Sequence, residues 1–204
     1  MCGIFASKSK EKFIELMELN AYRGTFSHSI ACVDLTTSSI VDLIKNVGPL
    51  DVNSIPNIPN VYYIGHVQAP TTQDGMCDAN IHPAVENNTY MWHNGIIKEK
   101  CISELQKETG IDSNWDTLLL LSYINNNHSL SEVDGTFACV VIDKSIKIFR
   151  NAISPMFIDD ELNLSSVRFK NAKPLTPNVI HNIIDNTIVE TDNHFVTKNN
   201  PYNL

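Results

Sequence analysis

The hydrophobic pattern changes period within the first twenty residues. Cys2-Gly3-Ile4-Phe5-Ala6 is a short apolar run of strand length. Phe13, Leu16, Met17 and the Asn20-Ala21 pair then recur at three- and four-residue spacing, which predicts an amphipathic helix over residues 8–20. Residues 29–35 and 62–67 are rich in β-branched and aromatic side chains and are bounded by polar, Pro-containing stretches, so both read as strands. Tyr90-Met91-Trp92 reads as a strand ending in an Asn94-Gly95 turn. Helical period resumes over residues 98–109 through Cys101, Ile102 and Leu105, and Gly110 is placed to close that helix. Asp116 stands before Thr117 and four leucines, the pattern of a buried helix with an acidic N-terminus.

Residues 135–143 and 145–150 form two apolar runs separated by little more than Lys144, as in a tight hairpin. Short strands are expected near residues 155–158 and 162–169, and beyond Pro174 and Pro177 near residues 187–190 and 194–196. Strand runs interspersed with a few helices predict an α+β fold of antiparallel sheets with helices packed outside. At 204 residues, without internal repeat or linker, residues 1–204 read as a single domain.

Composition narrows the function classes. A content of 43% hydrophobic and 19% charged residues is globular, and no apolar run approaches the roughly 20 residues that span a bilayer, so neither membrane insertion nor a signal peptide is expected. A formal charge of −8 with scattered lysines argues against direct nucleic-acid binding. The five cysteines are widely spaced and include no CxxC, which fits reduced thiols and a cytoplasmic location. His66, His82 and His93 match no common ligand spacing, and no metal site is expected. Hydrogen bonding behind the site strands is the expected role of His66 and His93.

Cys2 carries the candidate chemistry. Removal of the initiator Met would give it a free α-amine beside its thiol, and two groups with ordinary pKa values near 7.7–8.0 and 8.5 are matched for proton transfer. Taken alone, Cys2 reads more readily as a small apolar residue opening a buried strand. Four further stretches change that reading: Tyr22-Arg23-Gly24, Gly65-His66-Val67-Gln68 with Thr71 following, His93-Asn94-Gly95, and Asp116-Thr117. With the opening MCGIF and the later Gly135-Thr136-Phe137-Ala138, their order and spacing resemble the class II glutamine amidotransferase domain, over nearly the whole chain.

That resemblance implies a four-layer αββα sandwich of the N-terminal nucleophile (Ntn) hydrolase type, two antiparallel sheets flanked by helices. It implies glutamine as substrate, Cys2 as nucleophile, and the Asn94 side chain with the Gly95 N–H as oxyanion donors. It further implies Asp116 as receptor for the substrate α-ammonium, Thr71 near the α-carboxylate, and Arg23 as a brace for the nucleophile loop. No cofactor is implied. The ammonia would pass to a synthetase or other acceptor subunit acting in trans. Gln68 departs from the family, which has there the arginine that pairs with the α-carboxylate, and Phe26 stands where Asp is common. A neutral amide lacks the bidentate fork of a guanidinium. Two alternatives follow: an Ntn acylase for another amide, or a catalytically weakened domain serving as a binding or regulatory subunit.

Overall fold

The computed structural model describes residues 2–69 and 78–198. The chain order is β1 (Gly3–Ser7), α1 (Lys10–Asn20), β2 (Ser27–Asp34), β3 (Ser39–Val47), β4 (Tyr62–Gln68), β5 (Ala84–Glu86) and β6 (Thr89–Ile97), then α2 (Glu99–Thr109) and α3 (Asp116–Asn125). There follow β7 (Gly135–Ile142), β8 (Ile146–Arg150), β9 (Phe157–Ile158), β10 (Leu164–Ser165), β11 (Lys173–Pro174), β12 (Val179–Ile184) and β13 (Thr187–His194). Seven strands form one sheet in the order β11-β9-β10-β1-β4-β2-β3, and six form the other in the order β13-β12-β8-β7-β6-β5. Every pairing is antiparallel.

The alternation of strand side chains builds three apolar layers. Ile4, Ala6, Ala31, Val33, Tyr62 and Ile64 point from the first sheet toward Trp92, Ala138, Val140, Ile146 and Ile148 of the second. Their neighbours Phe5, Ile30, Cys32 and Tyr63 face the opposite way, onto Phe13, Leu16 and Met17 of α1. On the far face, Met91, Phe137, Cys139 and Phe149 meet Cys101 and Leu105 of α2 and Leu119 and Leu120 of α3. The result is the four-layer αββα arrangement the sequence led us to expect. Each fully buried Phe or Leu in these layers is worth about 1.5–3 kcal/mol in transfer free energy.

Local signals account for two of the helix ends. Ser9 caps α1 by accepting from the Lys12 N–H, and Gly110 closes α2 in the left-handed region at φ 71°. Asp116 opens α3 as the expected acidic N-terminus, one residue after the N-cap Trp115. Two expectations need correction. Asn94-Gly95 does not form a turn; β6 runs through both, with Asn94 paired to Ala138 and Gly95 to Phe137. The C-terminal stretch carries one hairpin, β12–β13, in place of two isolated short strands. Strands β3 and β12 were also not anticipated, because β3 is a sheet edge whose residues alternate weakly between half-buried and exposed.

Candidate functional site

Cys2 sits at the entrance to β1, 8% exposed, with its Sγ 3.7 Å from the Ala69 carbonyl oxygen at the end of β4. Burial pushes its thiol up to about 11, against the pull of the positive amino terminus and of Arg23. Arg23 donates its Nε–H to the Cys2 carbonyl at 2.7 Å. The next residue, Gly24, lies directly on the Gln68–Ala69 peptide, where a Cβ would come within 2.3 Å of the Gln68 carbonyl carbon. The Arg-Gly pair thus pins Cys2 and the head of β1 to the end of β4.

The second sheet contributes Asn94 and Gly95. Asn94 is on the face of β6 that looks across to the first sheet, and its carboxamide reaches Ser166 Oγ at 3.3 Å. The same Oγ accepts the Ile4 N–H at 3.0 Å, and the Ser166 N–H donates to the Ile4 carbonyl at 2.8 Å. Ser166 therefore joins β1, the strand that follows Cys2, to the Asn94 side chain. Sequence reasoning missed it: a serine just beyond the two-residue strand β10 carries no local signal. Within β6 the Ile96 N–H turns toward β7, to Thr136 Oγ1 at 3.0 Å, whereas the Ile97 N–H turns away, to Asp116 Oδ2 at 3.4 Å. By strand alternation the Gly95 N–H shares the side of Ile97, past the end of the short β5. A side chain at Gly95 would strike the Thr136 carbonyl oxygen at 1.9 Å. That contact, rather than a turn, demands glycine.

Asp116 begins α3, 23% exposed on its side chain, close enough to Cys2 for its charge to raise the thiol further. Behind it lies a buried polar cluster. Thr117 Oγ1 is within hydrogen-bond reach of Asp116 Oδ1 at 3.3 Å, His82 Nε2 at 3.0 Å and His93 Nδ1 at 3.2 Å. His93 Nε2–H donates to the Thr136 carbonyl at 3.2 Å, and His66 Nε2–H to the His93 carbonyl at 3.3 Å. The His66 and His82 rings stack with centroids 4.0 Å apart. Burial lowers His66 to about 3 and His82 well below its ordinary value, so both are neutral at pH 7. Among the described residues, no three His, Cys, Asp or Glu side chains converge as metal ligands would.

Gln68 is buried with its amide engaged. Its Oε1 accepts from Ser27 Oγ at 2.8 Å, its Nε2 donates to the Asn80 carbonyl at 3.3 Å, and His82 Nδ1 lies 3.4 Å from Oε1. Cys2, Arg23, Gln68, Asn94, Gly95 and Asp116 thus gather at one end of the sandwich, across both sheets. Thr71 lies outside the described residues.

No protein-family model matches the chain, and no curated protein sequence matches it. Solved structures do. The glutamine phosphoribosylpyrophosphate (PRPP) amidotransferase from B. subtilis, complexed with ADP and GMP, superposes with a TM-score of 0.64 at 17% identity, covering 93% of this chain and 49% of that one. A structure described as the allosteric regulatory enzyme of purine biosynthesis gives 0.66 at 17%, covering 93% and 48%. A glutamine aminotransferase class-II domain protein from Silicibacter pomeroyi gives 0.50 at 12%, covering 94% and 98%. The chain spans about half the length of the first two. At these identities the likeness is one of fold, and it is the two-sheet fold of the amidotransferases. Among the described residues, no helix is long and apolar enough to cross a membrane.

Proposed function

We propose that the chain is a class II glutamine amidotransferase domain that hydrolyses the side-chain amide of glutamine through Cys2 and hands the ammonia to an acceptor-binding partner outside these 204 residues. The observation that carries the reading is Ser166 Oγ, which touches both the Ile4 N–H of β1 and the Asn94 side chain on the opposite sheet. The two halves of an amide-cleaving site, nucleophile and oxyanion donors, are held by one residue.

A thiol at about 11 is almost wholly protonated at pH 7, so Cys2 needs a base at its side. Removal of Met1 places the α-amine on the Cys2 Cα itself. The amine takes the thiol proton, and sulfur attacks the amide carbon. The Asn94 Nδ2–H and Gly95 N–H receive the developing oxyanion. Collapse breaks the C–N bond, the ammonium returns its proton to the leaving nitrogen, and ammonia departs. Water, deprotonated by the same amine, then cleaves the thioester to release glutamate and free Cys2. Asp116 receives the substrate α-ammonium, and no cofactor takes part. Three features support the substrate: the resemblance of the sequence stretches, the amidotransferase fold, and the carboxylate of Asp116 near Cys2.

The test is glutamate and ammonia release by the purified protein with glutamine, against Cys2→Ser and a panel of other amides. Gln68 favours a second reading, an acylase for an amide lacking the α-carboxylate, because its buried amide supplies no positive charge. Faster cleavage of such an amide than of glutamine would establish that reading.

A further inference from the structure

The hydrogen-bond inventory at Ser166 is unbalanced as the atoms stand. A serine hydroxyl offers one donor and two acceptor sites. The Ile4 N–H fills one acceptor site at 3.0 Å, and Asn94, presented through Nδ2, fills the other at 3.3 Å. The hydroxyl proton then has no acceptor among the described residues, although Ser166 is 2% exposed. An unspent buried donor is unfavourable, because its lost hydration is not replaced.

Exchanging the two ends of the Asn94 carboxamide moves no heavy-atom position and removes the imbalance. The Ile4 N–H still donates to Ser166 Oγ, and the Ser166 O–H now donates to Asn94 Oδ1. Both Nδ2 hydrogens are then freed to face away from Ser166. We infer that Ser166 is the positioning residue that sets the Asn94 amide, holding its oxygen so that its Nδ2–H is presented to the oxyanion. The inference rests on the proposed amide hydrolysis for its purpose, but on the inventory for its geometry. Ser166 is suited to the task because its backbone and side chain are both clamped to Ile4, two residues from the nucleophile. The oxyanion donor is thereby registered against the strand that follows Cys2. A donor misplaced by an ångström loses much of its effect on a transition state.

Two measurements test this, and only one depends on turnover. In the free protein with labelled asparagine, the Asn94 side-chain signals being assigned by their loss in Asn94→Ala, Ser166→Ala moves the side-chain carbonyl carbon upfield because its oxygen loses a donor. A response at the Nδ2 protons with the carbonyl unmoved overturns the inference. If Ser166→Ala does not fold, Ser166→Cys gives the same direction with a smaller shift, since a thiol is a weaker donor. In kinetics, Ser166→Ala lowers kcat at least tenfold with KM nearly unchanged, whereas in an Asn94→Ala background it costs less than about twofold further. Additive losses mean that Ser166 acts independently of Asn94, and overturn the positioning role. A wild-type protein inert toward every amide removes the proposed function while leaving the spectroscopic result to decide the orientation.

Discussion

Arg23 donates its Nε–H to the carbonyl oxygen of Cys2 at 2.7 Å, and Gly24 behind it lies flat on the Gln68–Ala69 peptide. The pair locks the loop after α1, the head of β1 and the tail of β4 into one piece. Gly24→Ala forces a Cβ into backbone that has no room to yield, and we expect it to destabilise the protein by about 1–3 kcal/mol. Urea denaturation reads this directly. Arg23→Ala should leave most of the fold standing but lower kcat, because the Cys2 carbonyl loses its anchor. Equal kcat in Arg23→Ala and wild type would make the contact incidental.

The processing of the N-terminus decides whether Cys2 is a nucleophile at all. Intact mass of an active preparation should show loss of Met1, and an extension left on the N-terminus should abolish turnover, since burial, with the Asp116 charge adding to it, holds the thiol up at about 11. Cys2→Ser should be inactive, because a hydroxyl is far harder to deprotonate than a thiol. A glutamine-analogue electrophile should modify Cys2 and spare Cys32, Cys101 and Cys139, which are buried in the core. Full activity with Met1 retained would sink the mechanism.

His66 and His82 tie stability to pH. Burial depresses both pKa values in the folded state, His66 to about 3, while the unfolded values stay near 6.5. Between those limits the unfolded chain binds protons that the folded chain refuses. Stability is therefore fully present above about pH 6.5 and falls as pH drops, by roughly 1.4 kcal/mol per pH unit for each ring. Denaturation midpoints from pH 7.5 to 5 should show the decline. His66→Asn should flatten it, whatever its cost at neutral pH. An unchanged slope would mean that the ring is already charged in the fold.

How much of this was legible in the sequence follows from where each signal resides. Helix α2 was read nearly end to end, since Gly110 and the apolar spacing lie within a single segment. The hairpin β7–β8 was likewise visible, both strands lying side by side in sequence. Asn94-Gly95 was misread as a turn because a dipeptide does not reveal the facing strand. Only the Thr136 carbonyl, 41 residues on, shows why glycine is needed. Ser166 was missed for the same reason, its partners being Ile4 and Asn94. The Thr117 hub joins groups from α3, β6 and the segment before β5, a meeting that no local pattern encodes.

Gln68 gives the sharpest test of the substrate. Its amide is engaged with Ser27, Asn80 and His82, so Gln68→Arg takes from the buried Ser27 hydroxyl the oxygen it donates to and sets a guanidinium beside the neutral His82 ring. A buried donor left unsatisfied costs about 1–3 kcal/mol, and a lower melting temperature is expected. Binding should move the other way. Residue 68 adjoins Ala69, whose carbonyl meets Cys2 Sγ, and a guanidinium there supplies the charged fork that a glutamine α-carboxylate prefers. A charge-assisted bond exceeds a neutral one by roughly 1.4 kcal/mol, so KM for glutamine should fall about tenfold with kcat little changed. Melting curves and steady-state kinetics on the one variant separate the two effects. Lost stability with no gain in KM assigns Gln68 to the fold alone, and if an amide lacking the α-carboxylate then outperforms glutamine in the wild-type protein, glutamine is not the donor.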